Sequence, residues 1–187
     1  VASDEAIIDA KLDLDKINKL RVGVIWGAGI GGLETFQNEV LNFAAGDGTP
    51  RFNPFFIPKM IADIAPGNIS IKHGFMAPNY TTVSACASSA NAMIDALNYI
   101  RLGHCDVIVT GGSEAAVTIA GMGGFNAMHA LSTRNESPET ASESEEFAHA
   151  CTTCDARSYL AALLRDTSPF VAASTHALKS VNFAAEW

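Results

Sequence analysis

Runs of apolar residues, separated by glycine and charge, divide the first two thirds of the chain into short strands and helices. Arg21–Trp26 is a short β-branched run that suits a buried strand. Cys105–Gly112 is a continuously apolar run, typical of a strand in a sheet that is covered on both faces. Tyr80–Ala85 predicts a further strand, which leads directly into a segment beginning at Cys86. Apolar residues recur in that segment with helical period, at Ala90, Met93, Ile94, Leu97 and Ile100. The order strand, helix, strand predicts a βαβ unit and an α/β fold.

Helical spacing also occurs in three segments between these strands. Asp4–Leu20 predicts a long amphipathic helix, and Glu34–Ala45 predicts a second one. Phe55–Ile64 predicts a third helix, which the pair Pro66-Gly67 should interrupt.

The regular pattern stops near Ser142. An acidic run follows, and Ser158–Asp166 resembles the end of a helix. We therefore expect one unit over residues 1–142 and leave 143–187 unassigned. Because the first residue is Val1 and lies within a helical pattern, we also expect the N-terminus to be truncated.

Composition and charge narrow the possible functions. The 187 residues are 48% hydrophobic and 17% charged, enough to bury a core. Twelve basic against twenty acidic residues give a net charge of -8, which disfavours nucleic-acid binding. No stretch approaches the roughly 18 uncharged apolar residues of a membrane helix. Four cysteines are too few for a disulfide scaffold. We expect a cytoplasmic protein with neither a nucleic-acid nor a membrane partner.

A glycine-rich turn, Gly27–Gly32, follows the first strand and formally fits the dinucleotide pattern G-x-G-x-x-G. A dinucleotide site also needs a second strand that ends in an acidic residue about 20 positions further on. Asp47 comes too early for this role and lies in a turn with no strand before it. The pattern therefore favours glycines that permit close backbone packing beside a pocket.

Cys86 lies where a buried strand meets a long helix. The N–H groups and the positive dipole end of a helix N-terminus stabilise a thiolate, and they also stabilise the oxyanion formed when an acyl carbonyl is attacked. Small neighbours, such as Ala85 and Ala87, leave room for a substrate. On this feature alone a buried, inert cysteine remains the more frequent outcome.

Other chemistry-bearing residues favour structural interpretations. His149, Cys151 and Cys154 offer three zinc donors, but no second pair completes a set of four, so we predict no metal. A redox role of Cys151 and Cys154 would need a thioredoxin-like βαβ context, which the sequence around them does not supply. Cys105 is expected in the core, and Glu114 is expected to be a buried acceptor for backbone N–H groups.

Three segments together resemble one family, the β-ketoacyl-acyl-carrier-protein synthases, in order and spacing. They are GAGIGGLETF, then NPFFIPKMIADIAPGNISIKHGFMAPNYTTVSACASSANAMIDAL, then GHCDVIVTGGSEAAVTIAGMGGFNAMHALSTRNESPETAS. The resemblance covers Arg21–Ser142 and is strongest to the bacterial type II elongation enzymes. It implies a thiolase-like layered αβαβα fold, of which this chain holds mainly the N-terminal half.

The resemblance also implies site residues. Cys86 matches the family's nucleophile, which takes an acyl chain as a thioester before a decarboxylative Claisen condensation with malonyl-acyl-carrier protein in bacterial fatty-acid synthesis. Apolar positions match the acyl pocket: Ile30, Leu33, Phe36, Phe56 and Phe125. Phe56 is further expected to reach across a dimer.

The implied partners are acyl carrier protein and a second copy of the chain, as a homodimer. No cofactor is expected, since the substrates arrive on phosphopantetheine. The family's two catalytic histidines have no match, because His149 and His176 lie in different contexts. We therefore expect a fragment of the enzyme, and the alternative is a truncated or non-catalytic thiolase-fold homologue.

Overall fold

A computed structural model describes residues 1–143 and the backbone of two later strands, 161–164 and 172–173. The chain divides into two units. Within the described residues, the first unit contains 1–31, 61–114 and the two later strands. The second unit contains 32–60 and 115–143.

The first unit is built on a mixed sheet. Its three parallel strands are β1 (Val22–Gly27), β2 (Asn79–Thr82) and β3 (Val107–Gly112). β1 lies between the other two, with Gly27 opposite both Thr82 and Gly112. Because parallel strands point the same way, the loops that follow all three emerge at one edge of the sheet. The predicted α/β fold with a parallel sheet is confirmed.

Helices cover both faces of this sheet: α1 (Ala2–Asp9), α4 (Ile64–His73) and α5 (Ser88–Arg101). On one face α1 contributes Ala6 and Ile7 to a cluster with alternate residues of β1 and β3. On the other face α5 contributes Ala92 and Ala96 to a cluster with residues of the same strands. All residues of β1 and β3 are consequently buried, as their continuous hydrophobicity predicts.

Two helix predictions need correction. The helix predicted over Asp4–Leu20 ends at Asp9, and Lys11 takes a positive φ of 52°. The apolar residues that follow pack against the core without forming a helix, so their spacing reflects burial alone. The helix predicted over Phe55–Ile64 ends at Met60, and a separate helix, α4, begins at Ile64. Pro66 lies in the first turn of α4 instead of interrupting a helix, because a first-turn residue needs no N–H for the helical ladder.

The described strands of the C-terminal region extend the sheet. β4 (Ala161–Leu164) pairs antiparallel with β3, and β5 (Ala172–Ala173) pairs antiparallel with β4. The predicted helix end over Ser158–Asp166 is therefore wrong, since the open edge of β3 supplies hydrogen-bond partners for an extended segment. The boundary placed at residue 142 stays a prediction.

The second unit is helical where it is described. It contains α2 (Leu33–Ala44), α3 (Phe56–Met60) and α6 (Ile119–Ala127). The side-chain oxygen of Gln37 accepts a hydrogen bond from the backbone N–H of Ala120, which links α2 to α6. Among the residues that the structure describes, none of the helices has the length and hydrophobicity to cross a membrane.

Candidate functional site

The carboxyl edge of the parallel sheet collects three loops that carry chemistry-bearing residues. The loop after β1 contains the glycine turn, the loop after β2 contains Cys86, and the loop after β3 contains Glu114. Two backbone hydrogen bonds tie the starts of these loops together. The N–H of Ala28 donates to the Thr82 carbonyl, and the N–H of Ser113 donates to the Gly27 carbonyl. Ligands of open α/β sheets bind at this kind of edge.

Cys86 lies in a tight turn between β2 and α5. The strand before it is shorter than the predicted Tyr80–Ala85 and is not buried, because β2 lies at the edge of the described sheet. A 3₁₀ turn spans Ala85–Ala87, and Ala85 takes a positive φ of 49°. This left-handed conformation is unfavourable for a residue with a Cβ, so the surrounding contacts must hold it. The helix therefore begins two residues later than Cys86, and the cysteine is displayed at the bend before the helix N-terminus.

The buried hydroxyl of Ser88 holds this bend. It accepts a hydrogen bond from the N–H of Ser84 at 2.9 Å and donates one to the Ala85 carbonyl at 2.7 Å. Thr82 adds a bond from its own hydroxyl to the Ser88 carbonyl at 2.8 Å. Ser88 is only 3% exposed, so these bonds are shielded from competing water.

Glycines let the start of α5 approach the strands closely. A Cβ on Gly27 would collide with the backbone of Ser88 and Ser89, and a Cβ on Gly112 would lie 2.9 Å from the Gly27 carbonyl. Any larger residue at either position would push the helix N-terminus away from the sheet edge. Close backbone packing is one of the roles predicted for the glycine turn.

The two cysteines of the described region differ in environment. Cys86 is exposed, whereas Cys105 is fully buried beside α5. Burial raises the pKa of the Cys105 thiol, because the thiolate would lose its hydration. The prediction that Cys105 is a core residue is confirmed, and the exposure of Cys86 removes the buried-cysteine alternative.

The glycine turn and Glu114 form a unit that the sequence did not reveal in full. The carboxylate of Glu114 accepts hydrogen bonds from three consecutive N–H groups: Gly29 and Ile30 at 2.7 Å, and Gly31 at 3.0 Å. Successive N–H groups that converge in this way form an anion-binding nest. Glu114 is thus the predicted acceptor, although it is exposed instead of buried. The glycine turn therefore binds an anion, as a phosphate-binding motif does, but this anion is the protein's own Glu114 carboxylate.

The predicted pocket residues fall in both units. Ile30 belongs to the glycine turn of the first unit and is 47% exposed. The other four belong to the second unit. There the rings of Phe36 and Phe56 stack with centroids 6.2 Å apart, and a Leu33 methyl group lies near Gly121 of α6. Phe125 is half-buried on α6.

Metal ligation has no candidate in the part of the chain that is described. No group of three or more potential metal-ligating side chains occurs among those residues. His73, for which the sequence offered no nearby acidic partner, hydrogen bonds to Asp4 at 2.9 Å across the α1–α4 contact. The zinc and redox hypotheses for His149, Cys151 and Cys154 lie outside the described residues.

The described geometry is a parallel α/β sheet with an exposed cysteine at a strained turn on its carboxyl edge. Residues 1–153 match the model of the β-ketoacyl synthase N-terminal domain. The chain belongs to the β-ketoacyl synthase family. It is 44% identical over 142 residues to a 3-oxoacyl-[acyl-carrier-protein] synthase 2 of Staphylococcus aureus, a match that covers 75% of this chain and 34% of the relative. The chain therefore spans about a third of the length of that relative.

Solved structures show the same fold. A β-ketoacyl synthase from Burkholderia phymatum STM815 is 27% identical with a TM-score of 0.63, over 73% of this chain and 33% of the other. This chain also matches a second solved structure, with 23% identity and a TM-score of 0.64. That structure is a type II PKS acyl-carrier protein in complex with its ketosynthase bound to the hexaketide. That match covers 70% of this chain and 38% of the other. That solved complex contains an acyl-carrier protein together with its ketosynthase.

Proposed function

We propose that the protein to which this chain belongs is a condensing enzyme of fatty-acid synthesis, and that Cys86 carries the acyl chain. The observation that carries the proposal is the placement of Cys86, exposed at a strained bend immediately before α5. Catalytic nucleophiles occur on strained turns of this kind, because the bend exposes the reactive atom while its neighbours hold it. Membership of the β-ketoacyl synthase family supports the same assignment.

The proposed first step is acyl transfer. The Cys86 thiolate attacks the carbonyl carbon of an acyl thioester on acyl carrier protein, and a new C–S bond forms as the bond to the phosphopantetheine sulfur breaks. The departing thiolate takes up a proton and leaves as the free thiol. Backbone N–H groups at the bend and at the start of α5 would stabilise the oxyanion of the tetrahedral intermediate.

The proposed second step is condensation. Malonyl-acyl-carrier protein loses carbon dioxide, and the resulting carbanion attacks the Cys86 thioester. A β-ketoacyl product two carbons longer leaves on the carrier, and Cys86 is released as a thiolate. The groups that stabilise the decarboxylation lie in the remainder of the enzyme, since the described residues match only the N-terminal domain of the family.

The acyl chain needs an apolar pocket, and five residues are proposed to line it. Ile30 is the member that belongs to the same unit as Cys86. Leu33, Phe36, Phe56 and Phe125 are the members in the helical unit. Apolar lining of this kind suits a hydrocarbon chain, because burial of each methylene contributes about 0.8 kcal/mol.

We further propose that the enzyme is a homodimer that pairs through β2. This strand forms one edge of the described sheet, and an exposed edge of unpaired backbone groups favours pairing with another chain. Phe56 would then reach the partner's pocket, and the partner's Phe56 would reach back, because a two-fold contact is reciprocal. A stable monomer by sedimentation at micromolar concentration would refute the proposed dimer.

The cytoplasmic location stays a prediction.

The direct test is acylation. The intact protein is incubated with a long-chain acyl thioester of acyl carrier protein, and the modified residue is mapped by mass spectrometry. We expect a thioester on Cys86, which Cys86→Ala abolishes and Cys105→Ala retains. Acylation that survives in Cys86→Ala would overturn the assignment. If Cys86 is acylated but no carbon dioxide is released from malonyl-acyl-carrier protein, the alternative of a non-condensing homologue is correct.

The pocket has its own test. Ile30→Phe should shorten the longest acyl chain that Cys86 accepts, because an aromatic ring overfills a close-packed apolar tunnel. Ile71→Phe, on an exposed position of α4, is the matched control. An unchanged chain-length profile in Ile30→Phe would remove Ile30 from the pocket.

A further inference from the structure

We propose that Glu114 is a positioning residue that sets the acyl-chain pocket through the glycine turn. This inference rests on the proposed function, since it concerns the wall of the same pocket. Glu114 would touch neither the acyl chain nor the reacting atoms. It would act by fixing the backbone of Ile30 relative to the bend that displays Cys86.

Glu114 is itself held firmly at the sheet edge. The preceding residue, Ser113, donates its N–H to the Gly27 carbonyl at 3.0 Å. The hydroxyl of Ser113 accepts a hydrogen bond from the buried indole of Trp26 at 2.8 Å. Two bonds to β1 therefore anchor the start of the loop after β3, and Glu114 projects from this anchor toward the glycine turn.

The turn depends on an anion for its conformation. Three neighbouring N–H dipoles point at one place, which is unfavourable unless negative charge lies there. Both oxygens of Glu114 fill that place, Oε2 with Gly29 and Ile30 and Oε1 with Gly31. Charge-assisted bonds of this type are stronger than neutral ones. Without the carboxylate, the three N–H dipoles would repel one another, and this conformation of the turn would lose its stabilisation.

The glycine turn also lies beside the bend that displays Cys86. A Cβ on Gly29 would lie 2.7 Å from Glu114 Oε2 and 3.6 Å from the Ala85 carbonyl oxygen. Gly29 thus lies close to both the carboxylate and the residue that precedes Cys86. The next residue, Ile30, donates to the same carboxylate and presents an exposed apolar side chain. A shift of the glycine turn would therefore move the apolar side chain of Ile30 relative to Cys86.

The experiment is chemical rescue of the intact protein. Glu114→Ala removes the anion and leaves a space, which added formate can fill. We expect Glu114→Ala to acylate Cys86 from a long-chain thioester roughly tenfold or more slowly, since small displacements of positioned groups have effects of this size. Formate should restore most of that rate, and chloride at equal ionic strength should not. Alkylation of Cys86 by iodoacetamide, which needs no pocket, should change little.

Two further variants control the measurement. Glu114→Gln fills the same space with a neutral amide that offers one acceptor, so it should be partly impaired and should not respond to formate. Glu5→Ala removes an exposed glutamate from α1 and should behave as the unmodified protein. Calorimetry provides a readout independent of acylation: formate should bind to Glu114→Ala and not to Glu114→Gln.

The outcomes separate this inference from the proposed function. If the unmodified protein fails to acylate Cys86, the proposed function fails, while formate binding still decides whether Glu114 fills an anion nest. Unimpaired long-chain acylation by Glu114→Ala would overturn the positioning role. So would a loss that formate does not reverse, or an absence of formate binding to a Glu114→Ala protein whose circular dichroism is unchanged.

Discussion

The sheet and the aromatic helices use apolar residues in different ways. Every residue of β1 and β3 is buried by elements of its own unit. In the helical unit α2 and α3 contain no buried residue, although they are rich in phenylalanine and aliphatic side chains. Phe36, Val40 and Ile57 are between 41% and 54% exposed. Apolar residues therefore form a buried core in the first unit and a partly exposed surface in the helical unit.

This difference in burial indicates which residues the described part of the chain needs for folding. The residues of β1 and β3 are completely buried, so truncation of their side chains should destabilise the fold itself. The aromatic residues are held mainly by one another: Phe52 lies between Phe43 and Phe56, with ring centroids 5.5 Å and 5.4 Å away. Their apolar surface is available for what the proposed function requires, an acyl chain or a second subunit.

The largest expected effect comes from the sheet core. Ile108→Ala should lower the free energy of unfolding of the intact protein by about 2–5 kcal/mol, because it leaves a cavity at a fully buried position. The control is Ile71→Ala at an 82% exposed position, which should change it by no more than about 0.5 kcal/mol. Urea denaturation measures both. Equal losses in the two variants would contradict the comparison.

A smaller effect is expected at the polar bend of the same unit. Ser88→Ala leaves the N–H of Ser84 and the Ala85 carbonyl without their buried partner, which should cost about 1–3 kcal/mol. It should also slow Cys86 acylation, because the strained bend loses its clamp. Ser3→Ala, in the first turn of α1, should leave both quantities unchanged. A Ser88→Ala protein of normal stability and activity would show that the hydroxyl does not hold the bend.

The aromatic unit should respond more weakly than the sheet. Phe52→Ala removes two ring contacts and should destabilise the protein by about 1 kcal/mol. Phe55, which is 63% exposed, is the matched control, and Phe55→Ala should have a smaller effect. Thermal denaturation of both variants tests this. A Phe52→Ala loss as large as that of Ile108→Ala would make the aromatic cluster a second core.

The smallest effect concerns pH. A hydrogen bond from Lys72 lowers the pKa of Asp4, so this interaction stabilises the folded state above the unfolded pKa of Asp4. The stabilisation is lost as pH falls through the lower folded pKa. Lys72→Met should therefore cost no more than about 1 kcal/mol near neutral pH, since Lys72 is 60% exposed and screened by solvent. The difference between the two proteins should vanish in strong acid. A stability difference between the two proteins that grows as pH falls would contradict this prediction.

Local patterns were sufficient for several parts of the fold. The continuous apolar runs predicted β1 and β3 to within about two residues, because burial on both faces requires such runs. Helical period predicted α5, although the structure begins it at Ser88 instead of Cys86. The family was identifiable because several segments match in order, a signal that needs no knowledge of contacts.

The same patterns failed where packing replaced local preference. Leu12, Leu14 and Ile17 keep helical spacing but pack on the core outside a helix. Ala161–Leu164 forms a strand because β3 offers it an open edge. Spacing reports which residues are buried, and several backbone conformations can bury the same set.

The sequence by itself determined that Cys86 follows one strand, that glycines follow another, and that an acidic residue follows a third. Only the tertiary structure decided that these loops meet, since parallel pairing in register aligns Gly27 with Thr82 and Gly112. It also decided that Glu114 fills the nest of Gly29–Gly31, 83 to 85 residues away in sequence. The physical reason is that hydrogen bonds between distant residues depend on strand order and register, which no local pattern specifies.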